Sequence, residues 1–277
     1  MKGKVLILLP VHNRKEITRN FMSSLLQQDY PHYHLVLIDD GSTDGTAEMV
    51  TSLLPAATII TGNGNWWWGG SLQQGYQWVM KNSAHPDDVV LILNDDVEFG
   101  TDYLRKGVEF VMQYPDTLLV SQAWSKQTGV LLDAGVHINW KKMSFTNVTG
   151  KEDINCLSTR GLFMKAPAFK SAGGFRPHLL PHYLSDYEFT IRAGRKGFTL
   201  LTDPGIRLVM NEATTGIHTL KKLSVSKFIK HLFSLRSSGN PWYFSIFLIM
   251  VCPPLWLPLN LARIWGGSLK KLLTRNR

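Results

Sequence analysis

Val89-Val90-Leu91-Ile92-Leu93-Asn94-Asp95-Asp96-Val97 and, earlier, Val36-Leu37-Ile38-Asp39-Asp40-Gly41-Ser42 share one pattern: an apolar run that stops at paired carboxylates. Such a run reads as a strand buried on both faces, the kind that occurs in parallel sheets covered by helices. Ligands of open parallel sheets sit just beyond the carboxyl ends of the strands, so acids delivered there by two strands of one sheet converge on one crevice. Clustered carboxylates repel unless a cation or a sugar hydroxyl lies between them, and hard oxygen ligands favour Mg²⁺ or Mn²⁺. A nucleoside diphosphate carried on a metal suits that chemistry.

Outward from these runs the chain alternates. Val5–Leu9 reads as a strand ended by Pro10, Lys15–Gln28 as a helix with Ile17, Phe21 and Leu25 at helical spacing, and His34–Ile38 as the next strand. Ser42-Thr43-Asp44 offers caps for a helix through Leu54, Ala57–Ile60 a strand, Ser71–Lys81 a helix and Val89–Leu93 a strand. Further strands are expected near Leu118–Ser121 and Gly135–Trp140. Strand–helix alternation of this kind predicts an α/β fold with a mostly parallel sheet flanked by helices.

At 277 residues, 44% apolar and 18% charged, the chain can bury a full core. Cys156 and Cys252 lack metal-ligand spacing, which argues against a zinc site or a disulfide framework and fits a reducing compartment. The amino terminus reads as a first strand, not as a secretory leader.

The net charge of +9 hides a division: all 21 acids lie in residues 1–215, while residues 216–277 carry 10 Lys or Arg and none. Within the basic part, Ser237 to Ala262 holds 26 residues without a formal charge, flanked on both sides by Lys and Arg. Pro253, Pro254 and Pro258 would break a single spanning helix, and the symmetric charge gives no inside–outside bias. The expectation is a catalytic domain over 1–215 and a basic, apolar helical tail over 216–277 that lies on anionic membrane, a true span or an oligomer interface being the alternatives. Nucleic acid is a weaker account of the charge, because the cations alternate with long apolar runs.

Leu9-Pro10-Val11-His12-Asn13-Arg14, Leu37-Ile38-Asp39-Asp40-Gly41-Ser42-Thr43-Asp44-Gly45-Thr46 and Leu93-Asn94-Asp95-Asp96-Val97 resemble successive signatures of the family 2 glycosyltransferases of the GT-A fold, including bacterial rhamnosyltransferase-like and surface-polysaccharide members. Gly173-Gly174-Phe175 through Ser185-Asp186-Tyr187-Glu188-Phe189 to Arg192 resembles the segment that holds that family's catalytic acid. The resemblance spans about residues 4–218.

It implies that Pro10, His12, Asn13, Arg14, Asp40 and Asp95 face the nucleotide, and that Asp96 binds a divalent ion, Mn²⁺ or Mg²⁺, with Asn94 departing from the family's acidic pattern. His218 resembles a histidine that closes the metal site in some relatives. Asp186 becomes the general base, activating an acceptor hydroxyl for in-line attack with inversion. On its own, Ser185-Asp186-Tyr187-Glu188 reads as a capping box, with Ser185 at the N-cap and Glu188 closing it.

Gly62-Asn63-Gly64-Asn65-Trp66-Trp67-Trp68-Gly69-Gly70 is not a dinucleotide fingerprint, since its third glycine is misplaced and no acid follows at the needed distance. Similar loops in a subset of family 2 lie beside the donor, which points to Asn65, Trp67 and Trp68 as sugar contacts. The expected protein is an inverting, metal-dependent hexosyl- or deoxyhexosyltransferase. It would act at the cytoplasmic face of a membrane on a nucleoside-diphosphate sugar and a lipid-linked or polysaccharide acceptor. A sugar-phosphate nucleotidyltransferase would need a glycine-rich phosphate loop after strand one, and His12-Asn13-Arg14-Lys15 has no glycine. A catalytically dead sugar-nucleotide sensor or membrane scaffold would have no use for intact Asp96 and Asp186.

Overall fold

Alternation along the first strands divides them between two cores, one on each sheet face. A computed structural model describes residues 3–148, 154–212 and 225–274. The strands β1 (Val5–Val11), β2 (Tyr33–Asp39), β3 (Thr58–Thr61) and β4 (Val89–Ile92) run parallel in the order β3-β2-β1-β4. Val5, Ile7 and Leu9 point to the face covered by α1 (Lys15–Leu26), α2 (Thr46–Leu53) and α4 (Tyr103–Gln113), while Leu6 and Leu8 point to the face covered by α3 (Trp67–Asn82), α5 (Ala166–Ala172) and α6 (Ser185–Arg195). A strand buried on both faces must be apolar at every position, which is why these runs do not alternate in sequence.

Pro10 does not end β1. Pairing with β2 continues to Val11 opposite Asp39, whereas the β4 ladder stops at Leu8 opposite Ile92. The missing N–H of Pro10 faces the side that β4 has already left, so no ladder bond is lost there.

Beyond β4 the sheet changes direction. Strand β10 (Leu162–Lys165) lies antiparallel between β4 and β6 (Thr117–Ser125); β11 (Thr199–Met210) is parallel to β6; β5 (Val97–Phe99) and β7 (Leu131–Asp133) are antiparallel additions. Among the described residues the sheet has nine strands, and the parallel order holds strictly only in its first half.

A separate ribbon, β8 (Val136–Asn139) with β9 (Ser144–Asn147), packs on α6 and on the tail helices α8 (Pro241–Val251) and α9 (Leu257–Thr274). Phe247, Leu248 and Val251 of α8 are buried in this third cluster. Asn260 of α9 is fully buried and donates to the carbonyl of Trp140 at 2.8 Å. The uncharged run is thus two helices joined by the 3-10 turn Pro254–Trp256, placed where the prolines require a break. Among the described residues no helix is long and apolar enough to cross a membrane.

Candidate active site

The carboxyl ends of β1, β2 and β4 and the start of α3 surround a cavity of about 330 Å³. Pro10, His12, Arg14, Asp40, Asp95, Asp96, Trp67 and Trp68 line it, as the sequence anticipates. Asn13 and Asn65 do not. Asn13, at φ 51°, accepts from the N–H of Thr43, stapling the β1 turn to the loop after β2. Asn65 is exposed and its backbone N–H donates to the side chain of Asn63.

Each carboxylate at the cavity has its own electrostatic setting. Asp39, behind the cavity wall, accepts from the N–H of Ser42 at 2.8 Å and closes the turn. Asp40 accepts three backbone N–H groups, from Gly64 at 2.8 Å, Trp66 at 2.8 Å and Trp67 at 3.0 Å. A carboxylate has about four acceptor positions, so Asp40 mainly anchors the tryptophan loop and keeps little capacity for a base or ribose. Gly41 (φ 73°) permits the approach, since a Cβ there would stand 2.8 Å from the nitrogen of Gly64. Asp95 is buried, accepts from Arg14 Nε at 3.0 Å and Thr18 Oγ1 at 2.9 Å, and has its pKa raised by burial, with Arg14 opposing.

Asp96 differs. Its Oδ2 lies 3.5 Å from Arg14 Nη2, while its Oδ1 is buried with no hydrogen-bond partner among the described residues. A buried unpaired carboxylate oxygen is costly unless a cation or a donor completes it. No three His, Cys, Asp or Glu side chains cluster as a ready metal site among the described residues. An ion at Asp96 would therefore take further ligands from a bound diphosphate, water or residues outside that set. Where His218 stands in this arrangement lies outside the described residues.

Trp67 begins α3 at φ 55°, a left-handed conformation that is strained for a bulky residue and characteristic of functional sites. Its ring stands 5.3 Å from that of His182. Gly69 brings α3 against the chain before α6, its N–H donating to the carbonyl of Pro181 at 2.9 Å, and a Cβ there would meet the carbonyl of Leu180 at 2.5 Å. The loop carrying residues 180–184 therefore forms one wall of the cavity, through His182. Burial pushes the His182 imidazole down to about 4, so it is neutral at physiological pH.

Asp186 follows in the first turn of α6 without lining the cavity itself. The expected capping box does not form. Leu184, left-handed at φ 67°, precedes the helix with no side-chain cap, and Ser185 Oγ donates backwards to the carbonyl of His182 at 2.7 Å. Glu188 is buried against Arg192 at 2.8 Å, and Arg192 reaches the carbonyl of Gly174 at 2.7 Å. Phe175 stacks on Phe189 with ring centroids 4.7 Å apart. The Gly173–Arg192 pattern is thus a clamp that fixes α6 and with it Asp186.

Burial pushes the Asp186 carboxyl up to about 6, opposed by the N–H of Tyr187 at 2.9 Å and by Arg160, and aided by Asp133. Sequence reasoning missed Asp133, Arg160 and Arg236. Asp133 ends Leu131-Leu132 as Asp39 ends its own run, so its signal was the same strand-end acid. It accepts from Ser158 Oγ at 2.6 Å and lies 4.0 Å from Arg160. Arg236, in the basic flank just before Ser237, also lines the cavity.

The sequence model of "Glycosyl transferase family 2" matches residues 6–171. Glycosyltransferase AglE of Haloferax volcanii is 24% identical over 217 residues, covering 71% of this chain and 63% of its own. TuaG of Bacillus subtilis strain 168, a glycosyltransferase whose name assigns it to teichuronic acid biosynthesis, is 33% identical over 167 residues, covering 57% of this chain and 61% of its own. The chain thus spans about three-fifths of the length of these curated relatives. Among solved structures, the mannosyltransferase PcManGT of Pyrobaculum calidifontis in complex with GDP-Man and Mn²⁺ aligns over 98% of this chain and 76% of its own, with TM-score 0.58 and 14% identity. GalNAc-T7 with UDP, GalNAc and Mn²⁺ aligns over 88% of this chain and 47% of its own, with TM-score 0.64 and 14% identity. These likenesses place the fold among GT-A glycosyltransferases. With the strand-end acids and the matched segment in agreement, the chain belongs to glycosyl transferase family 2.

Proposed function

We propose that the protein moves one sugar from a nucleoside-diphosphate sugar to a lipid-linked or polysaccharide acceptor, with inversion, using a divalent cation at Asp96. The observation that carries this reading is the pairing of two carboxylates in contrasting states. Asp96 presents an uncompensated oxygen at the mouth of β4, while Asp186, four residues past the cavity wall at His182, has a carboxyl near 6. An acid so placed is ionised at neutral pH and close enough in pKa to accept a proton from an acceptor hydroxyl in the transition state. His12 and Arg14 frame the nucleotide end, Arg14 being held by Asp95, and Trp67 and Trp68 offer faces to the sugar.

The residues fit a cation of the hard, oxygen-seeking class, held by Asp96 beside Asn94 and Asp95. When bound, such an ion offsets the charge that develops on the leaving diphosphate. The Mn²⁺ in PcManGT and GalNAc-T7 supports the same class. The name of TuaG supports a polymeric surface glycan as product.

The reading extends to a cytoplasmic membrane surface for the tail. Leu255 (78% exposed), Ile249 (64%) and Trp242 (59%) project from the α8–α9 hairpin, and Lys230, Arg263 and Lys271 belong to the same basic stretch. Apolar residues beside cations match an interfacial anchor.

A screen of nucleotide sugars for hydrolysis, with and without Mn²⁺, tests the reading. One donor should be cleaved slowly in the presence of Mn²⁺ and far less in chelator. Absence of cleavage across UDP-, GDP-, dTDP- and CDP-sugars with Mn²⁺ rejects it.

A further inference from the structure

The turn between α7 (Val225–Leu232) and α8 is built, not loose. Asn240, buried at 3% exposure, donates to the carbonyl of Ser234 at 3.1 Å and caps α8 by accepting from the N–H of Trp242 at 3.0 Å. The N–H of Ser237 donates to Ser234 and that of Asn240 to Ser237, each at 3.2 Å. The same turn shares a small crevice with His182, Tyr183 and Leu184, so it is docked on the chain leading to Asp186. Arg236 projects from it and lines the cavity at the mouth of β1, β2 and β4.

The charges around that cavity are already matched, with one exception on each side. Asp40 is satisfied by three backbone N–H groups, and Arg14 lies between Asp95 and Asp96. Among the described residues Arg236 has no carboxylate or carbonyl partner, though it stands at a cavity with three acids. Its guanidinium is a planar, permanently charged fork suited to paired phosphate oxygens.

The geometry points to Arg236 as a side chain that binds the diphosphate of the donor, so that the turn between α7 and α8 completes the active site rather than serving only as part of an anchor. This rests on the sugar-nucleotide reading above and gives its phosphate group a ligand from this chain. Arg14 is tied by Nε to Asp95 and keeps only Nη2, 3.5 Å from Asp96, without a hydrogen bond, so it leaves room for a second cation at the diphosphate, and His182 is neutral. Because the Arg236 turn is docked on residues 182–184, diphosphate binding would also fix the loop from which α6 starts.

Calorimetric titration of UDP, GDP, dTDP, CDP and ADP in Mn²⁺ identifies the preferred base; its monophosphate and nucleoside are then compared on wild type, Arg236→Ala and Arg236→Lys. Arg236→Ala should weaken the diphosphate about 10- to 100-fold, the monophosphate only a few-fold and the nucleoside not at all, with Arg236→Lys between. Arg236 is exposed, so thermal unfolding of the variants should match wild type. Equal affinity of wild type and Arg236→Ala for the diphosphate overturns the assignment while leaving the nucleotide site standing. A wild-type protein that binds none of the five diphosphates overturns the sugar-nucleotide reading, and the assignment with it.

Discussion

At the mouth of β1, β2 and β4 the acids are fixed by direct hydrogen bonds: Asp39 by Ser42, Asp40 by the loop that follows β3, Asp95 by Arg14 and Thr18 at the start of α1. At the start of α6, Asp186 is surrounded instead by groups from distant stretches, Asp133 at the end of β7, Cys156 and Arg160 before β10, with its own Tyr187 beside it. The first arrangement pairs its carboxylates with donors, Arg14 opposing the effect of burial on Asp95, which suits holding a cationic or hydrogen-bonding ligand. The second leaves one carboxyl poorly solvated and only partly compensated, which suits exchanging a proton. Electrostatic setting, not residue type, separates the two roles.

The largest test of this contrast is Asp96→Ala. With the unpartnered oxygen of Asp96 gone from the mouth of β4, transfer should fall to background, and Mn²⁺ should no longer tighten nucleoside diphosphate binding, while the circular dichroism stays native. Full transfer by this variant in chelator would overturn the assignment of Asp96 as a cation ligand.

Asp186→Asn comes next. It keeps shape and the Tyr187 contact but cannot take a proton, so turnover should drop roughly 10²–10⁴-fold with donor binding intact. The same change should raise stability. A carboxyl whose folded pKa of about 6 lies above its unfolded value contributes stability that is present at low pH and lost as pH rises through 6. Removing it should therefore stabilise the protein at pH 7–8, by up to about 3 kcal/mol for a two-unit shift, and do nothing near pH 4. Wild-type turnover should show an acid limb with a midpoint near 6. A variant that loses affinity but keeps saturated turnover would make Asp186 a binding residue.

The cavity side was legible because a parallel strand ends in a contiguous word: Leu37-Ile38-Asp39-Asp40 and Leu93-Asn94-Asp95-Asp96 each state the strand, its end and its chemistry together. Pro10 was misread because a ladder bond can be dispensable on one side only, a fact about the neighbour strand β4. The capping box failed for a similar reason: Ser185 is claimed by the carbonyl of His182 and Glu188 by Arg192, both tertiary arrangements. Arg236 carried no local signal, since its place depends on a turn folded around buried Asn240. The charge division at residue 216 was real in composition, yet α8 and α9 pack on α6 and the β8–β9 ribbon.

That packing changes how the tail should be tested. Removing residues 216–277 would take away Phe247, Leu248 and Val251 and uncover Val136, Ile138, Leu180 and Ile191, so the cleaner probe is the surface triple variant Trp242→Ser, Ile249→Ser, Leu255→Ser. It should fold, keep slow donor hydrolysis and pellet several-fold less with anionic vesicles, with the remainder sensitive to salt. Unchanged pelleting would mean that these side chains do not meet lipid.

The smallest effect separates the two regions most cleanly. Asp133 pushes the Asp186 carboxyl up as a like charge, the least of the influences on it, while Arg160 pulls it down. Asp133→Asn retains an acceptor for the N–H of Gly135, 3.1 Å away, and an amide able to bond Ser158 Oγ, so the loop should hold its shape. Loss of the like charge makes ionisation of Asp186 easier. The acid limb of the pH–turnover profile should then move down by a fraction of a unit with nucleotide affinity unchanged. An Asp40→Asn change at the cavity should do the reverse, altering nucleotide affinity through the tryptophan loop and leaving the limb where it was. If Asp133→Asn left the limb in place while lowering affinity, Asp133 would belong to the ligand-holding set, and the division between a paired cavity and a poorly compensated base would not stand.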